Sequence, residues 1–152
     1  MGMRAVIQRV SKASVKCSSG HYDELDTGML VFLGIEELDE REDIEWLSGK
    51  ICRLRIFDDK KGVMNLDVNE VGGEIMVISQ FTLHAGTRKG NRPSYIKAAP
   101  PNISEPMYRA FLEQLEKDSR GRVKRGVFGD KMEVMLINEG PVTILIDTKN
   151  KE

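Results

Sequence analysis

The side chains in this 152-residue sequence that could do chemistry gather in two short strings, Ser79-Gln80-Phe81-Thr82-Leu83 and Gly140-Pro141-Val142-Thr143. The first offers two hydroxyls and a carboxamide where an apolar run turns polar; the second puts a glycine and a proline at a corner. Neither comes with a base. His21 and His84 are the only histidines, fall at no metal-ligand spacing and read as surface or packing residues, and a hydroxyl without a neighbouring base is a weak nucleophile. No GxSxG elbow, GxxxxGK[ST] phosphate loop or GxGxxG turn occurs, so a Ser-His-Asp or Cys-His hydrolase has no support. Cys17 and Cys52 belong to no CxxC or Cys/His cluster and read as buried, reduced thiols. On periodicity alone the first string is an ordinary polar strand end. The second is an ordinary trans turn, since only about 5–6% of X-Pro bonds in folded proteins are cis.

The elements that must position these strings can be read from hydrophobic period and turn residues. Residues 4–17 alternate imperfectly as a long strand, and the Ser-Ser-Gly after them predicts a hairpin. Residues 28–35 form an apolar run bounded by glycines, the pattern of a central strand. Asp39 is the expected N-cap of a helix with Glu42 three residues on and Ile44, Leu47, Ile51 and Leu54 on one face. A strand, turn and strand are expected over 55–57 and 63–68, and another strand over 74–83. If that strand continues through Thr82, Gln80 and Thr82 share one face and Ser79 and Phe81 the other. Residues 86–101 lack any period and read as a loop long enough to suspect a function. Ser104 is the expected cap of a second helix, striped by Met107, Phe111 and Leu115 and ending near Ser119. Strands are expected over 123–128, 132–138 and 142–148. The fold class is α+β: a mostly antiparallel sheet curled toward a barrel, with two main helices packed on it.

Length and composition agree with one globular domain over 1–148 and a short polar tail over 149–152. Hydrophobic residues make up 40% and charged residues 31%, with 5 Pro and 14 Gly, a balance that excludes bulk disorder. The longest apolar stretch, Met29 to Leu33, falls far short of the roughly 20 residues of a membrane span. The N-terminal residues lack the apolar block of a secretory signal, so a cytoplasmic location is expected. A net charge of −1, from 23 basic and 24 acidic residues, argues against a grip on long nucleic acid. The distribution is less even: residues 86–97 carry Arg88, Lys89, Arg92 and Lys97 with no acid, and residues 117–131 are also basic. Such runs are solvated faces or short phosphate-binding surfaces.

Taken together, Ser79-Gln80-Phe81-Thr82-Leu83 and Asn138-x-Gly140-Pro141-Val142-Thr143 resemble the paired signature of the D-aminoacyl-tRNA deacylases, also called D-tyrosyl-tRNA deacylases. Residues 4–10, Ala13-Ser14-Val15, Arg55-Ile56-Phe57, Met64-Asn65-Leu66, Gly90-Asn91-Arg92-Pro93-Ser94, and Phe128-Gly129 with Met132 match in the same order. The tail from Lys149 lies outside the pattern, and His84 stands where it is variable.

The resemblance implies a homodimer that hydrolyses the ester joining a D-amino acid, or glycine, to the terminal adenosine of tRNA. It implies no cofactor, no metal, no DNA and no membrane. Ser79, Gln80, Phe81 and Thr82 would form the catalytic strand end. The partner's Gly-Pro pair, with a cis bond, would enter a shared pocket, the carbonyls of Gly140 and Pro141 facing the α-amino group and Arg9 holding the pair. Phe128 and Met132 would lie near the adenine, and Arg88, Lys89 and Arg92 would contact tRNA phosphates. An activated ester needs mainly an oriented water and oxyanion donors, each giving roughly 10²–10³ in rate. Main-chain N–H groups around Phe81 and Thr82 are the candidates, with the ribose 2′-hydroxyl favoured over Thr82 as a participant. A small-ester hydrolase of the same fold and a non-catalytic tRNA-binding module are the competing readings.

Overall fold

The computed structural model describes residues 2–152. Its spine is β1 (Arg4–Cys17), which pairs antiparallel with β2 (Tyr22–Leu25) through the expected hairpin, with β3 (Gly28–Gly34), and with β8 (Met132–Asp147) along its other edge. On the far side of β3 the sheet turns parallel, with β6 (Glu74–Ser79) beside β3 and β7 (Val123–Arg125) beside β6. Two helices, α1 (Arg41–Arg53) and α2 (Pro101–Asp118), and a small hairpin of β4 (Phe57–Asp58) and β5 (Met64–Leu66) complete the chain. Pairing is therefore mostly antiparallel within a mixed sheet.

The central strands are apolar throughout because both their faces are covered. Met29, Val31 and Leu33 of β3, with Ile75 and Val77 of β6, pack under Ile44, Leu47 and Ile51 of α1 and Phe111 and Leu115 of α2. Leu30, Met76 and Ile78 point the other way, into a second cluster with Val10, Ala13, Val15 and Leu25. β1 thus serves the helix layer with Ala5 and Ile7 and the inner cluster with Val10 to Cys17, crossing over where its register against β8 shifts between Gln8 and Lys12. That crossing is why its alternation is imperfect in the sequence, and it curls the sheet. The curl nearly closes a barrel. Its last gap, between β2 and β7, is bridged by side chains: His21 Nε2 lies 2.8 Å from the Arg125 carbonyl, and Lys124 Nζ 3.8 Å from Asp23.

Several boundaries differ from those the sequence predicts. The N-cap of α1 is Glu40, whose N–H donates to Asp43 at 2.8 Å, because the Asp39 carboxylate is already engaged by the Glu36 N–H at 2.7 Å. Helix α2 starts a turn early: Pro101 takes the first helical position, where a missing N–H is harmless, and Ser104 lies inside the helix with its hydroxyl donating to the Pro100 carbonyl. β4 and β5 are shorter than the strands expected there, and β7 ends at Arg125 rather than Phe128. β6 stops at Ser79, and Phe81–His84 form a 3₁₀ turn instead of extending the strand. The two strands expected over 132–138 and 142–148 are one, β8, because both halves pair with β1. Among the described residues β8 carries no strand on its outer edge, and Met135, Ile137 and Leu145 stand exposed along it. The tail is not loose: Lys149 Nζ lies 3.1 Å from Asp43, and Lys151 Nζ sits 4.4 Å over the Trp46 ring. Among the described residues no helix is long and apolar enough to cross a membrane.

Candidate active site

The chain leaves β6 at Ser79 and turns sharply at Gln80 (φ −145°, ψ 84°), whose N–H still reaches the Leu33 carbonyl at 2.8 Å. The 3₁₀ turn that follows lies hard against β3. A Cβ on Gly34 would lie 3.0 Å from both His84 Nδ1 and Leu83 Cβ and 3.1 Å from the Gln80 carbonyl, so any side chain here would force the turn to give by a few tenths of an ångström. The turn is fastened from the other end of the sequence: Arg4 Nη1 donates to the Leu83 carbonyl at 2.8 Å, and the buried His84 places Nε2 2.7 Å from the Gly2 carbonyl. Thr82 is not on a strand face with Gln80, yet the two meet, the Gln80 Nε2 donating to Thr82 Oγ1 at 2.5 Å. Among the described residues no base touches that hydroxyl. The N–H groups of Phe81 and Thr82 open the turn, where helical geometry supplies no acceptor.

Ser79, Gln80 and Phe81 line one wall of a cleft of about 600 Å³ whose other walls include Phe128, Met132, Tyr95 and Pro100. Phe128 leans on Tyr108, with ring centroids 5.8 Å apart. The Tyr108 hydroxyl donates to the Val77 carbonyl at 3.1 Å, and burial pushes it above the usual phenol range, so it supports the wall rather than titrating. Among the described residues no three His, Cys, Asp or Glu gather as a metal site would need. Cys17 and Cys52 are free and buried, and burial pushes the Cys52 thiol up to about 12.

Gly140 and Pro141 are not among the residues lining this cleft. They lie on β8 where Asn138 pairs with Val10 and Thr143 with Gln8, so residues 139–142 stand opposite Arg9 alone and bulge from the ladder. The Gly140–Pro141 peptide bond is cis. Asn138 staples the bulge: its Nδ2 donates to Thr143 Oγ1 at 3.2 Å and its Oδ1 accepts from the Val142 N–H at 3.1 Å. From beneath, the nearly buried Arg9 donates through Nε to the Glu139 carbonyl at 3.1 Å and through Nη1 to the Ile56 carbonyl at 2.8 Å and Asp58 at 3.1 Å. Arg88, Lys89 and Arg92 are exposed on a loop pinched shut by paired main-chain bonds between Gly86 and Ser94.

A family model described as D-Tyr-tRNA(Tyr) deacylase matches residues 6–147. The chain belongs to that family. A D-aminoacyl-tRNA deacylase of Flavobacterium psychrophilum is 57% identical over 150 residues, covering 99% of this chain and 100% of that relative. One from Bacteroides fragilis (strain YCH46) is 59% identical with the same coverage. Among solved structures, a c-Myc DNA unwinding element binding protein superposes with a TM-score of 0.89 at 39% identity, covering 95% of this chain and 97% of its own. A structure described as "a probable eukaryotic D-amino acid tRNA deacylase" superposes with a TM-score of 0.82, over 97% of this chain and 100% of its own. At 16% identity it speaks to the fold alone.

Within this deacylase-family chain the expected residues therefore fall into three places: the cleft, with Thr82 bonded to Gln80 but not among its lining residues, the β8 bulge with Arg9 beneath it, and the basic loop. Four contributors escaped the sequence reading. Asn138 was quoted only as part of a string, although its spacing from Thr143 is the signal for a stapled corner. Asp58 and the Ile56 carbonyl, which complete the seat of Arg9, and Tyr95 at the cleft rim left no local mark.

Proposed function

We propose that this protein is a D-aminoacyl-tRNA deacylase that acts as a homodimer, removing D-amino acids and glycine from the 3′ end of tRNA. The observation that carries the reading is a separation. The cleft with the catalytic string and the rigid Gly140–Pro141 bulge occupy different parts of one chain, so a site using both needs the bulge of a second copy. The unpaired outer edge of β8 and its exposed Met135, Ile137 and Leu145 offer the apolar surface such a pairing would cover. The 57% and 59% identical relatives are D-aminoacyl-tRNA deacylases along their whole length.

In this reading the terminal adenosine enters beside Phe128 and Met132, and the ester carbonyl lies against the Phe81 and Thr82 N–H groups. A water oxygen bonds to the acyl carbon, the bond to the ribose oxygen breaks, and that oxygen leaves with a proton, giving free amino acid and free tRNA. The neighbouring 2′-hydroxyl orients the water, and the two N–H groups hold the developing oxyanion. The partner's Gly140 and Pro141 carbonyls hold the α-amino group. A D side chain then points to open space and an L side chain into main-chain wall, which explains broad side-chain tolerance with tight chirality.

The test is release of amino acid from D- and L-aminoacyl-tRNA and from a simple ester, with the mass in solution measured on the same preparation. Selective release from the D form by a dimer is expected. Binding of tRNA without release, or hydrolysis of the simple ester alone, would overturn the reading in favour of a binding module or a small-ester hydrolase.

A further inference from the structure

The outer rim of the cleft carries an aromatic pair to which the chemistry just described gives no task. Phe81 and Tyr95 meet edge to face, with centroids 5.0 Å apart and planes at 78°, yet Phe81 remains 58% and Tyr95 40% exposed. Two rings left open side by side make a contiguous apolar patch of the kind that marks a binding surface. Their backbones are fixed. Phe81 opens the 3₁₀ turn held by Arg4 and His84. Tyr95 follows the Gly86–Ser94 main-chain pair at 2.7 and 2.8 Å, its carbonyl accepts from the Ala98 N–H, and the Ala99 N–H reaches the Ile35 carbonyl at 3.0 Å. Tyr95 also closes the loop that presents Arg88, Lys89 and Arg92 without a single acid over residues 86–97.

A pre-ordered aromatic face beside an acid-free cationic loop is the combination that receives an unpaired nucleotide: the base stacks, the phosphate meets the cations, and no base identity is demanded. We infer that Phe81 and Tyr95 form a stacking platform for the unpaired nucleotide preceding the terminal adenosine of the substrate. This rests on the deacylase reading and adds a subsite outside the reacting centre. Phe128, leaning on buried Tyr108, is the inner aromatic station for the terminal base, and the Phe81–Tyr95 pair is the outer one for its neighbour. A second copy of the chain is the rival occupant of the pair, but the adjoining charge favours a polyanion.

The test compares Tyr95→Ala and Tyr95→Phe with the wild type on D-aminoacyl-tRNA and on D-aminoacyl-adenosine, which lacks the preceding nucleotide. Loss of the ring should raise KM for the tRNA substrate by about tenfold with little change in kcat, the size of one lost base–aromatic stack. Tyr95→Phe should restore it, and the loss in Tyr95→Ala should be several-fold larger on tRNA than on the short substrate. Equal losses on both substrates would make Tyr95 a prop for Phe81 and overturn the inference, as would an unchanged KM for tRNA. Light scattering that shows Tyr95→Ala falling to half the wild-type mass would assign the pair to a subunit contact instead. A wild type inert on both substrates would remove the deacylase reading itself and the platform with it.

Discussion

Arg9 lies directly beneath Glu139, its Nε donating to the Glu139 carbonyl at 3.1 Å while Nη1 is held by the Ile56 carbonyl at 2.8 Å. A planar guanidinium can satisfy these partners together, whereas an ammonium offers a single point of contact. Arg9→Lys should therefore lose roughly 1–3 kcal/mol of stability, chiefly through the buried Ile56 carbonyl left without its partner. Because the bulge above it carries Gly140, the ratio of D- to L-aminoacyl-tRNA cleavage should fall at least about tenfold. Urea denaturation and paired deacylation assays read the two effects; a lowered stability with an unchanged ratio would leave Arg9 a purely structural residue.

Gly140 has φ +127°, and a Cβ there would meet Val142 Cγ2 at 2.9 Å and Arg9 Nη2 at 3.1 Å. Gly140→Ala is expected to re-aim the bulge, costing about 1–3 kcal/mol of stability and relaxing chiral discrimination more than it lowers cleavage of the D substrate. Equal losses on the D and L substrates would contradict the assignment of the bulge to chirality.

Thr82 Oγ1 is an acceptor for Gln80, with no base beside it among the described residues. Thr82→Val should keep kcat to within about tenfold, because the main-chain N–H groups survive the change. A loss of 10³ or more, with the protein still folded by circular dichroism, would make the hydroxyl the nucleophile.

Lys89 and Arg92 stand exposed on the pinched loop. Lys89→Glu with Arg92→Glu should raise KM for tRNA and flatten its dependence on salt, since each lost phosphate contact removes about 0.7 from the logarithmic slope on a single strand. Cleavage of D-aminoacyl-adenosine is the control, and an unchanged salt slope would assign both residues to a bystander surface.

Burial pushes the Asp39 carboxyl from 3.8 up to about 6, with Asp43 and Glu36 adding repulsion and the Glu36 N–H bond and Lys149 opposing it. The native state thus binds more protons than the unfolded chain between these values, so this group's contribution to stability falls as pH rises from about 4 to about 6 and is flat above. Asp39→Asn removes that dependence. Relative to wild type, the variant should gain stability at about pH 7 and little at about pH 4, as urea midpoints will show.

What the sequence announces here are features that local chemistry determines. The hairpin after Cys17, the apolar run of β3 and the stripe of α1 follow from period and turn residues, and all three are present. What it hides are features imposed from afar. Ser79-Gln80-Phe81-Thr82-Leu83 has the aromatic and β-branched content of a strand, but Gly34, Arg4 and the Gly2 carbonyl hold it as a turn. Pro141 reads as a strand terminator, yet β8 continues past it because β1 templates both halves. The cap of α1 moved by one residue because Asp39 was spent on the Glu36 N–H, a competition between adjacent acids that spacing does not resolve. The string from Ser79 to Leu83 and the glycine–proline corner are visible as strings, but that they lie apart within one chain follows from the family resemblance alone, since no local pattern encodes it.

The free flank of β8 has a practical consequence for handling the molecule. Outside the bulge at residues 139–142, the main-chain groups that β8 turns away from β1 are a template along which a misfolded neighbour can add itself. Where a twin chain shields that flank, thinning the sample raises the share of molecules that bare it, so a dye that lights up on uncovered apolar surface should brighten per chain as the protein is diluted.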